Sequence, residues 1–192
     1  MGREFELKYA ATEQVLTSIL RQYGPGRTIQ METTYFDTRD HALSAARMTL
    51  RLRRENNEII CTLKTPLADG SRGEWECPAA EIESGIASLL SLGAPESLTE
   101  LTGPGVIPVC GARFTRIAVE IPTADGMAEL ALDRGILMGG GQEAPLCEVE
   151  LELKSGSEEA LLALARLLEA TYDLQPEADS KFRRAMALAK GE

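Results

Sequence analysis

The segment LCEVELELKS, residues 146–155, alternates apolar and charged side chains along its length. Successive side chains of a β-strand point to opposite faces, so this alternation predicts a strand with one apolar and one charged face. The charged face carries Glu148, Glu150 and Glu152 in a row. Neighbouring carboxylates in the row are about 6.6 Å apart, and they repel one another unless a cation lies among them.

Seven further segments are predicted strands. Six alternate in the same way, namely residues 3–9, 48–55, 58–64, 72–78, 113–121 and 127–137. The seventh, residues 30–37, alternates poorly, but its Thr, Tyr and Phe content favours a strand.

Four helices are predicted from apolar periodicity and capping residues, over residues 12–23, 81–92, 157–170 and 180–190. Residues 93–109 are predicted to be mostly loop, and 124–126 and 139–141 to connect strands. Runs of strands flanked by helices predict an α+β domain built on an antiparallel sheet or a closed barrel. The elements use nearly the whole chain, so residues 1–192 are expected to form a single domain.

Composition excludes several classes of protein. The 192 residues include 20 Lys and Arg against 30 Asp and Glu, a net charge of −10. General nucleic-acid or anionic-membrane binding is not expected, because it needs clustered Lys and Arg. The N-terminus is charged and no 18-residue apolar stretch follows, so the expected compartment is the cytoplasm.

Any catalytic or binding site in this chain is expected to be built from carboxylates, Lys and Arg. His41 is the only histidine, and no nucleophile-elbow or phosphate-loop motif is present. The four cysteines are far apart in the sequence and are predicted to be reduced.

The charged strand faces allow two interpretations. Each could be the solvated outer face of an antiparallel sheet. Rows of like charge on many strands favour instead a barrel whose charged face lines the lumen. Its carboxylates would suit Mg²⁺ or Mn²⁺, the candidates being Glu4, Glu6, Asp133, Glu148, Glu150 and Glu152. Its basic donors would suit phosphate oxygens, the candidates being Lys8, Arg51, Arg53, Lys64, Arg72 and Arg116. Together the two sets match a metal-bound polyphosphate.

The N-terminal motif EFELK, residues 4–8, resembles the Glu-x-Glu-x-Lys signature of the CYTH superfamily, the triphosphate tunnel metalloenzymes. The resemblance continues in family order through TTYFDTRDHAL (33–43), MTLRLRREN (48–56), Lys64, RGEWE (72–76), ELALDRG (129–135), CEVELELKSG (147–156) and Ser180-Lys181. ELALDRG and CEVELELKSG are most similar to the bacterial inorganic triphosphatase branch.

The resemblance implies an eight-stranded antiparallel barrel that forms a tunnel, with helices packed on the outside and a triphosphate bound inside. It implies that Glu4, Glu6, Glu148 and Glu150 bind metal, with Glu152 and Asp133 in support, and that two Mg²⁺ or Mn²⁺ ions are present with substrate. It implies phosphate binding by Lys8, Arg51, Arg53, Lys64, Arg116 and Lys181. Arg72, Glu74, Glu76, Glu120 and Glu129 fall at tunnel-facing positions. Phe182 departs from the family, which often has Tyr there.

The expected activity is hydrolysis of tripolyphosphate to pyrophosphate and phosphate. Glu6 or Glu150 would orient the attacking water, and Lys8 with the other basic residues would neutralise charge on the transferring group. The alternatives are a thiamine or nucleoside triphosphatase and a class IV adenylyl cyclase, although no base-reading pocket is identified. A non-catalytic polyphosphate- or nucleotide-binding module is less favoured, because anion capture would not need so many carboxylates. The expected partner is a small-molecule triphosphate, and no oligomeric state is predicted.

Overall fold

The computed structural model describes residues 2–3, 5–67 and 72–191. Ten strands lie in this part of the chain: β1 (Gly2–Arg3), β2 (Glu6–Ala10), β3 (Arg27–Asp37), β4 (Thr49–Glu55), β5 (Glu58–Pro66), β6 (Arg72–Pro78), β7 (Ile107–Pro122), β8 (Met127–Gly139), β9 (Gln142–Ser155) and β10 (Gln175–Pro176). Six helices accompany them: α1 (Glu13–Tyr23), α2 (Ala42–Ala45), α3 (Ile82–Ser91), α4 (Ser97–Thr102), α5 (Glu158–Tyr172) and α6 (Lys181–Lys190). Within the described residues, every helix is too short or too polar to span a bilayer.

The strands form one antiparallel sheet in the order β1-β6-β5-β4-β3-β7-β8-β9-β2-β10. β1 pairs with β6 near one end of this order, and β2 pairs with β9 near the other. Arg3 and Glu6 are three residues apart, which is at most about 11 Å even in an extended chain. The two ends of the sheet therefore meet, and β1 and β2 together act as one strand of a closed barrel. The predicted eight-stranded antiparallel barrel is confirmed.

The apolar face of the barrel lies outside, under helices. Ile19 of α1 and Leu161 of α5 pack with Leu130 and Leu151 in one buried cluster. A second cluster on β4–β6 lies beneath α2, α3 and α4, and it buries Trp75. Burial of these faces supplies the main driving force for closure of the barrel.

The C-terminal helix α6 packs differently, against the inner face of the sheet. Met186 clusters with Phe114 and Leu137, whose side chains share the luminal face of their strands. A Cβ atom at Gly139 would lie 2.2 Å from the carbonyl oxygen of Ala185, so only glycine allows this close approach. We infer that α6 closes one end of the lumen.

Three helices begin where the sequence predicts. Thr12, Ser157 and Ser180 precede α1, α5 and α6, and the side chain of each accepts a hydrogen bond from the backbone N–H three residues later, at 3.3, 3.2 and 3.1 Å. These bonds satisfy N–H groups that a helix otherwise leaves unpaired.

The structure differs from the predicted elements at several places, among them β10, which was not predicted. The first predicted strand is interrupted at Phe5, where the chain crosses from β6 to β9. The predicted loop 93–109 contains α4 and the start of β7. The short helix α2 was not predicted, because a side-chain contact with the preceding strand holds it and it has too few residues to show apolar periodicity. The buried Asp37 carboxylate accepts the backbone N–H groups of Leu43 and Ser44 at 2.9 and 3.1 Å.

Candidate active site

The barrel lumen contains a cavity of about 580 Å³, a size typical of small-molecule sites. Nine of the thirteen predicted site residues line it: Glu6, Lys8, Arg51, Arg53, Lys64, Arg116, Glu150, Glu152 and Lys181. Asp133 and Glu148 are fully buried. Glu4 and the side chain of Arg72 lie outside the described residues.

Strand pairing brings carboxylates together on one side of the lumen. Glu6 and Lys8 of β2 lie opposite Glu152 and Glu150 of β9. Glu129 of β8 lies opposite Glu152 on the other edge of β9. Paired residues of antiparallel strands project from the same face of the sheet. The acidic row of β9 therefore gains one carboxylate from each neighbouring strand, Glu6 from β2 and Glu129 from β8.

Basic residues occupy another side of the lumen, on β4 and β5. Arg53 Nη2 lies 2.5 Å from Glu55 Oε1, and Lys64 Nζ lies 3.3 Å from Glu74 Oε1. Arg51 Nη2 lies 3.8 Å from the same Glu74 oxygen. These carboxylates hold the basic groups against the wall of the cavity.

Glu76 links the two arginines of β4. Its Oε1 accepts a hydrogen bond from the Thr62 hydroxyl at 2.9 Å and lies 3.6 and 3.9 Å from Nη2 of Arg53 and Arg51. Burial, and next the charge of Arg51, lower the pKa of Arg53. A guanidinium remains charged despite such a shift, because its ordinary pKa is above 12.

The basic and acidic sides face each other across the lumen. In the closed order of eight strands, β4 and β9 are four steps apart in both directions. Strands so related lie on opposite walls of a barrel. The lumen therefore presents guanidinium donors on one wall and carboxylate acceptors on the other.

A buried ionic cluster lies beneath the acidic wall. Lys181 Nζ lies 2.8 Å from Asp133 Oδ2 and 2.7 Å from Glu150 Oε1, and it also pairs with Glu148. Arg116 donates to both oxygens of Asp133 at 2.8 Å and pairs with Glu150. Five charged groups from three strands and one helix therefore share one buried region.

Glu150 and Lys181 of this cluster remain ionised. Burial acts to raise the pKa of Glu150, but Lys181 and Arg116 outweigh it and hold this pKa well below its usual range. Burial acts to lower the pKa of Lys181, but Glu150 and Asp133 outweigh it and raise this pKa. Each charge thus depends on its partners.

Three carboxylates of this cluster fit a divalent cation. Ligand oxygens of Asp133, Glu148 and Glu150 lie within 4.8 Å of one another. Both oxygens of Glu148 are buried and make no hydrogen bond of normal geometry, although they pair with Lys181 and Arg184. Closely spaced carboxylate oxygens are the donors that Mg²⁺ and Mn²⁺ prefer.

Two charged residues of the candidate site were not predicted from the sequence. Arg184 pairs with Glu148, and it lies three residues after Lys181, a spacing that places both on one helix face. Glu55 lines the cavity two residues after Arg53, so strand alternation could have found it. Glu120, expected to face the tunnel, is exposed and lies outside the cavity lining.

Comparison with known proteins places these features in a family. Residues 2–186 match the CYTH domain. The inorganic triphosphatase of Haemophilus influenzae is 33% identical to this chain over 199 residues. The alignment covers 98% of this chain but 55% of that protein, so the chain spans about half the length of this curated relative.

Solved structures share the fold. A Bacillus halodurans protein named as a candidate adenylate cyclase has a TM-score of 0.67 at 22% identity, over 96% of this chain and 98% of that one. Pyrococcus horikoshii PH1819 has a TM-score of 0.66 at 20% identity, over 98% and 99%. Hippeastrum HpAC1, with a dominant triphosphatase activity, has a TM-score of 0.65 at 18% identity, over 98% and 95%. The family match spans most of the chain, which therefore belongs to the CYTH domain family.

Proposed function

We propose that this protein is a metal-dependent triphosphatase that hydrolyses inorganic triphosphate to pyrophosphate and phosphate inside the barrel. One observation carries the proposal. The lumen sets the guanidinium groups of Arg51 and Arg53 across from the acidic row of β9, around a cavity of about 580 Å³. The similarity to an inorganic triphosphatase supports the choice of substrate.

The basic wall is proposed to bind and position the phosphates. Arg51, Arg53 and Lys64 supply donors, and arginine forks match the oxygens of a phosphate group. Their ion pairs with Glu74 and Glu76 span 3.3 to 3.9 Å, longer than good hydrogen bonds, whereas Arg53 pairs with Glu55 at 2.5 Å. Phosphate oxygens can therefore compete for these donors while the carboxylates keep the side chains oriented.

Lys8 is proposed to neutralise charge on the transferring phosphoryl group. It lines the cavity opposite Glu150, and among the described residues it has no ion pair within 4 Å. A lysine so placed can turn its ammonium group towards substrate. Charge neutralisation supplies most of the catalysis in phosphoryl transfer.

The acidic wall is proposed to hold the metal. Glu6, Glu150 and Glu152 line the cavity, and Asp133 and Glu148 lie beneath it. Glu4, two residues before Glu6 in the sequence, is proposed as a further ligand. A bound divalent cation would neutralise phosphate oxygens and lower the pKa of a water molecule. Mg²⁺ and Mn²⁺ both suit these ligands.

Glu6 or Glu150 is proposed to orient the attacking water. Both oxygens of Glu150 are already engaged, one by Lys181 and the other by Arg116. Each of these oxygens accepts one bond from a cation and has a second lone pair that can accept a hydrogen bond from a water molecule.

The proposal is tested by product identification with a panel of substrates. Purified protein is incubated with Mg²⁺ or Mn²⁺ and separately with tripolyphosphate, ATP and thiamine triphosphate, and the products are separated by chromatography. Pyrophosphate and phosphate from tripolyphosphate, with ATP largely intact and no reaction in EDTA, are expected. Cyclic AMP from ATP would instead indicate a cyclase, and tight binding without turnover would indicate a binding module.

A further inference from the structure

The ammonium group of Lys181 lies among the carboxylates that fit a metal. Its Nζ is 2.8 Å from Asp133 Oδ2 and 2.7 Å from Glu150 Oε1, and it pairs with Glu148. These are the same three carboxylates whose oxygens lie within 4.8 Å of one another. The position that a divalent cation would take is thus close to the position of this lysine.

With Arg184 included, the three carboxylates of the buried cluster pair with three cations, which are Arg116, Lys181 and Arg184, and Arg184 also pairs with Glu177. Addition of a divalent cation with all three in place would bring two further positive charges into this buried region. Buried charges repel more strongly than charges in water, so binding of a metal ion favours the departure of one of the three cations.

Lys181 is better able to leave than Arg116. Arg116 is held by two bonds to Asp133 in the middle of a paired strand. Lys181 is a single ammonium on a flexible stem, and it already lines the cavity. It is also the first residue of α6, so its side chain can move without a break in the barrel.

We infer that Lys181 is a placeholder cation, which occupies the carboxylate group in the metal-free protein and is displaced into the cavity when a divalent cation binds. This inference rests on the proposed function. Displacement would expose a phosphate donor only when metal is present, and it would release one oxygen of Glu150. Binding of metal would thereby prepare the site for triphosphate.

The first test measures the accessibility of Lys181. Wild-type protein is treated briefly with an amine-acetylating ester, in EDTA or with saturating Mn²⁺ and without substrate, and each lysine is quantified by peptide mass spectrometry. We expect Mn²⁺ to raise acetylation of Lys181 by about tenfold, since the buried ion pairs that protect it are lost. Lys190, exposed at the other end of α6, is the internal control and should not change. Equal protection of Lys181 with and without Mn²⁺ would overturn the inference.

The second test measures metal affinity directly. Lys181→Met removes the competing charge, so the substrate-free protein should bind Mn²⁺ about tenfold more tightly by calorimetry. Lys190→Met should bind as wild type does. Unchanged or weaker binding by folded Lys181→Met would refute the inference. Neither test measures turnover. Failure of the proposed hydrolysis can therefore be distinguished from failure of the Lys181 inference.

Discussion

Glu148 on β9 pairs with Arg184 of α6, so an ion pair ties the C-terminal helix to the floor of the lumen. Glu148 is fully buried, and Arg184 also lies 3.5 Å from Glu177. Glu148 also pairs with Lys181, which lies one turn before Arg184 in α6. The position of α6 is therefore set by the charges of the candidate site as well as by apolar packing.

Arg184→Ala should destabilise the fold. Loss of the guanidinium leaves the buried Glu148 short of one partner, and we expect a decrease of about 2–4 kcal/mol in the free energy of unfolding, discounted for the partial exposure of Arg184. Urea titration measures the change. Arg183→Ala is the control, because Arg183 is 78% exposed and should shift stability by less than about 0.5 kcal/mol. Equal effects of the two changes would contradict the role of the pair.

Arg53→Ala should weaken both binding and catalysis. Phosphate contacts position the substrate and stabilise its transition state, so KM should rise and kcat should fall, with kcat/KM lower by about 10- to 100-fold. Steady-state kinetics with tripolyphosphate measures this. The neighbouring Arg54 is 51% exposed, and its strand position points outward. Arg54→Ala should retain wild-type kinetics, and an equal loss in both variants would place the basic wall elsewhere.

Glu150→Gln should remove metal-dependent turnover while the fold survives. The substitution keeps the shape of the side chain but removes a charge that faces Lys181 and Arg116, and we expect kcat to fall by at least about 100-fold. Circular dichroism establishes folding, and phosphate release gives the rate. Glu143→Gln, on an exposed part of the same strand, is the control. Wild-type turnover in folded Glu150→Gln would refute the assignment.

Gly139→Val should disturb the packing of α6 against β8. A Cβ atom there would lie 2.2 Å from the carbonyl oxygen of Ala185, so we expect destabilisation of about 1–3 kcal/mol. Thermal unfolding measures it. Gly103→Ala is the control, because the nearest atoms lie 3.4 Å from its added Cβ. A neutral Gly139→Val would mean that α6 does not rest on this strand.

The thiols should be inert in the folded protein. Burial raises the pKa of Cys61 and of Cys110 to about 12. A raised pKa keeps the thiol protonated, and the thiolate is the reactive form, so neither should react with a disulfide reagent at pH 8. Both should react once the protein is unfolded in guanidinium. Rapid labelling of Cys61 in the native state would contradict its burial under α3.

Much of the barrel could be predicted from local sequence. Strand alternation depends only on which side chains are apolar, and in LCEVELELKS it separates Val149 and Leu151, which are buried outside the barrel, from the acidic row inside. Strand register then follows, because a shift by one residue would exchange the two faces. The wall positions of Arg51 and Arg53 were predictable for the same reason.

The placement of α6 could not be predicted in this way. Apolar periodicity shows that a helix has a buried face, but it does not show which layer covers that face. The inward position depends on long-range contacts with Gly139 and Glu148, which lie more than 30 residues away in the chain. The interruption of the first strand at Phe5 could not be predicted from local sequence either, because it depends on pairing with two strands that are distant in the chain.

The most direct test of the account is a phosphorus NMR time course of tripolyphosphate with the wild-type protein and Mg²⁺, carried out in ¹⁸O-labelled water. Attack of water on a terminal phosphorus predicts one pyrophosphate for each phosphate, with the label in the phosphate. It also predicts that EDTA stops the reaction. Persistence of the tripolyphosphate resonances with metal bound, or turnover that EDTA does not affect, would contradict the central claim.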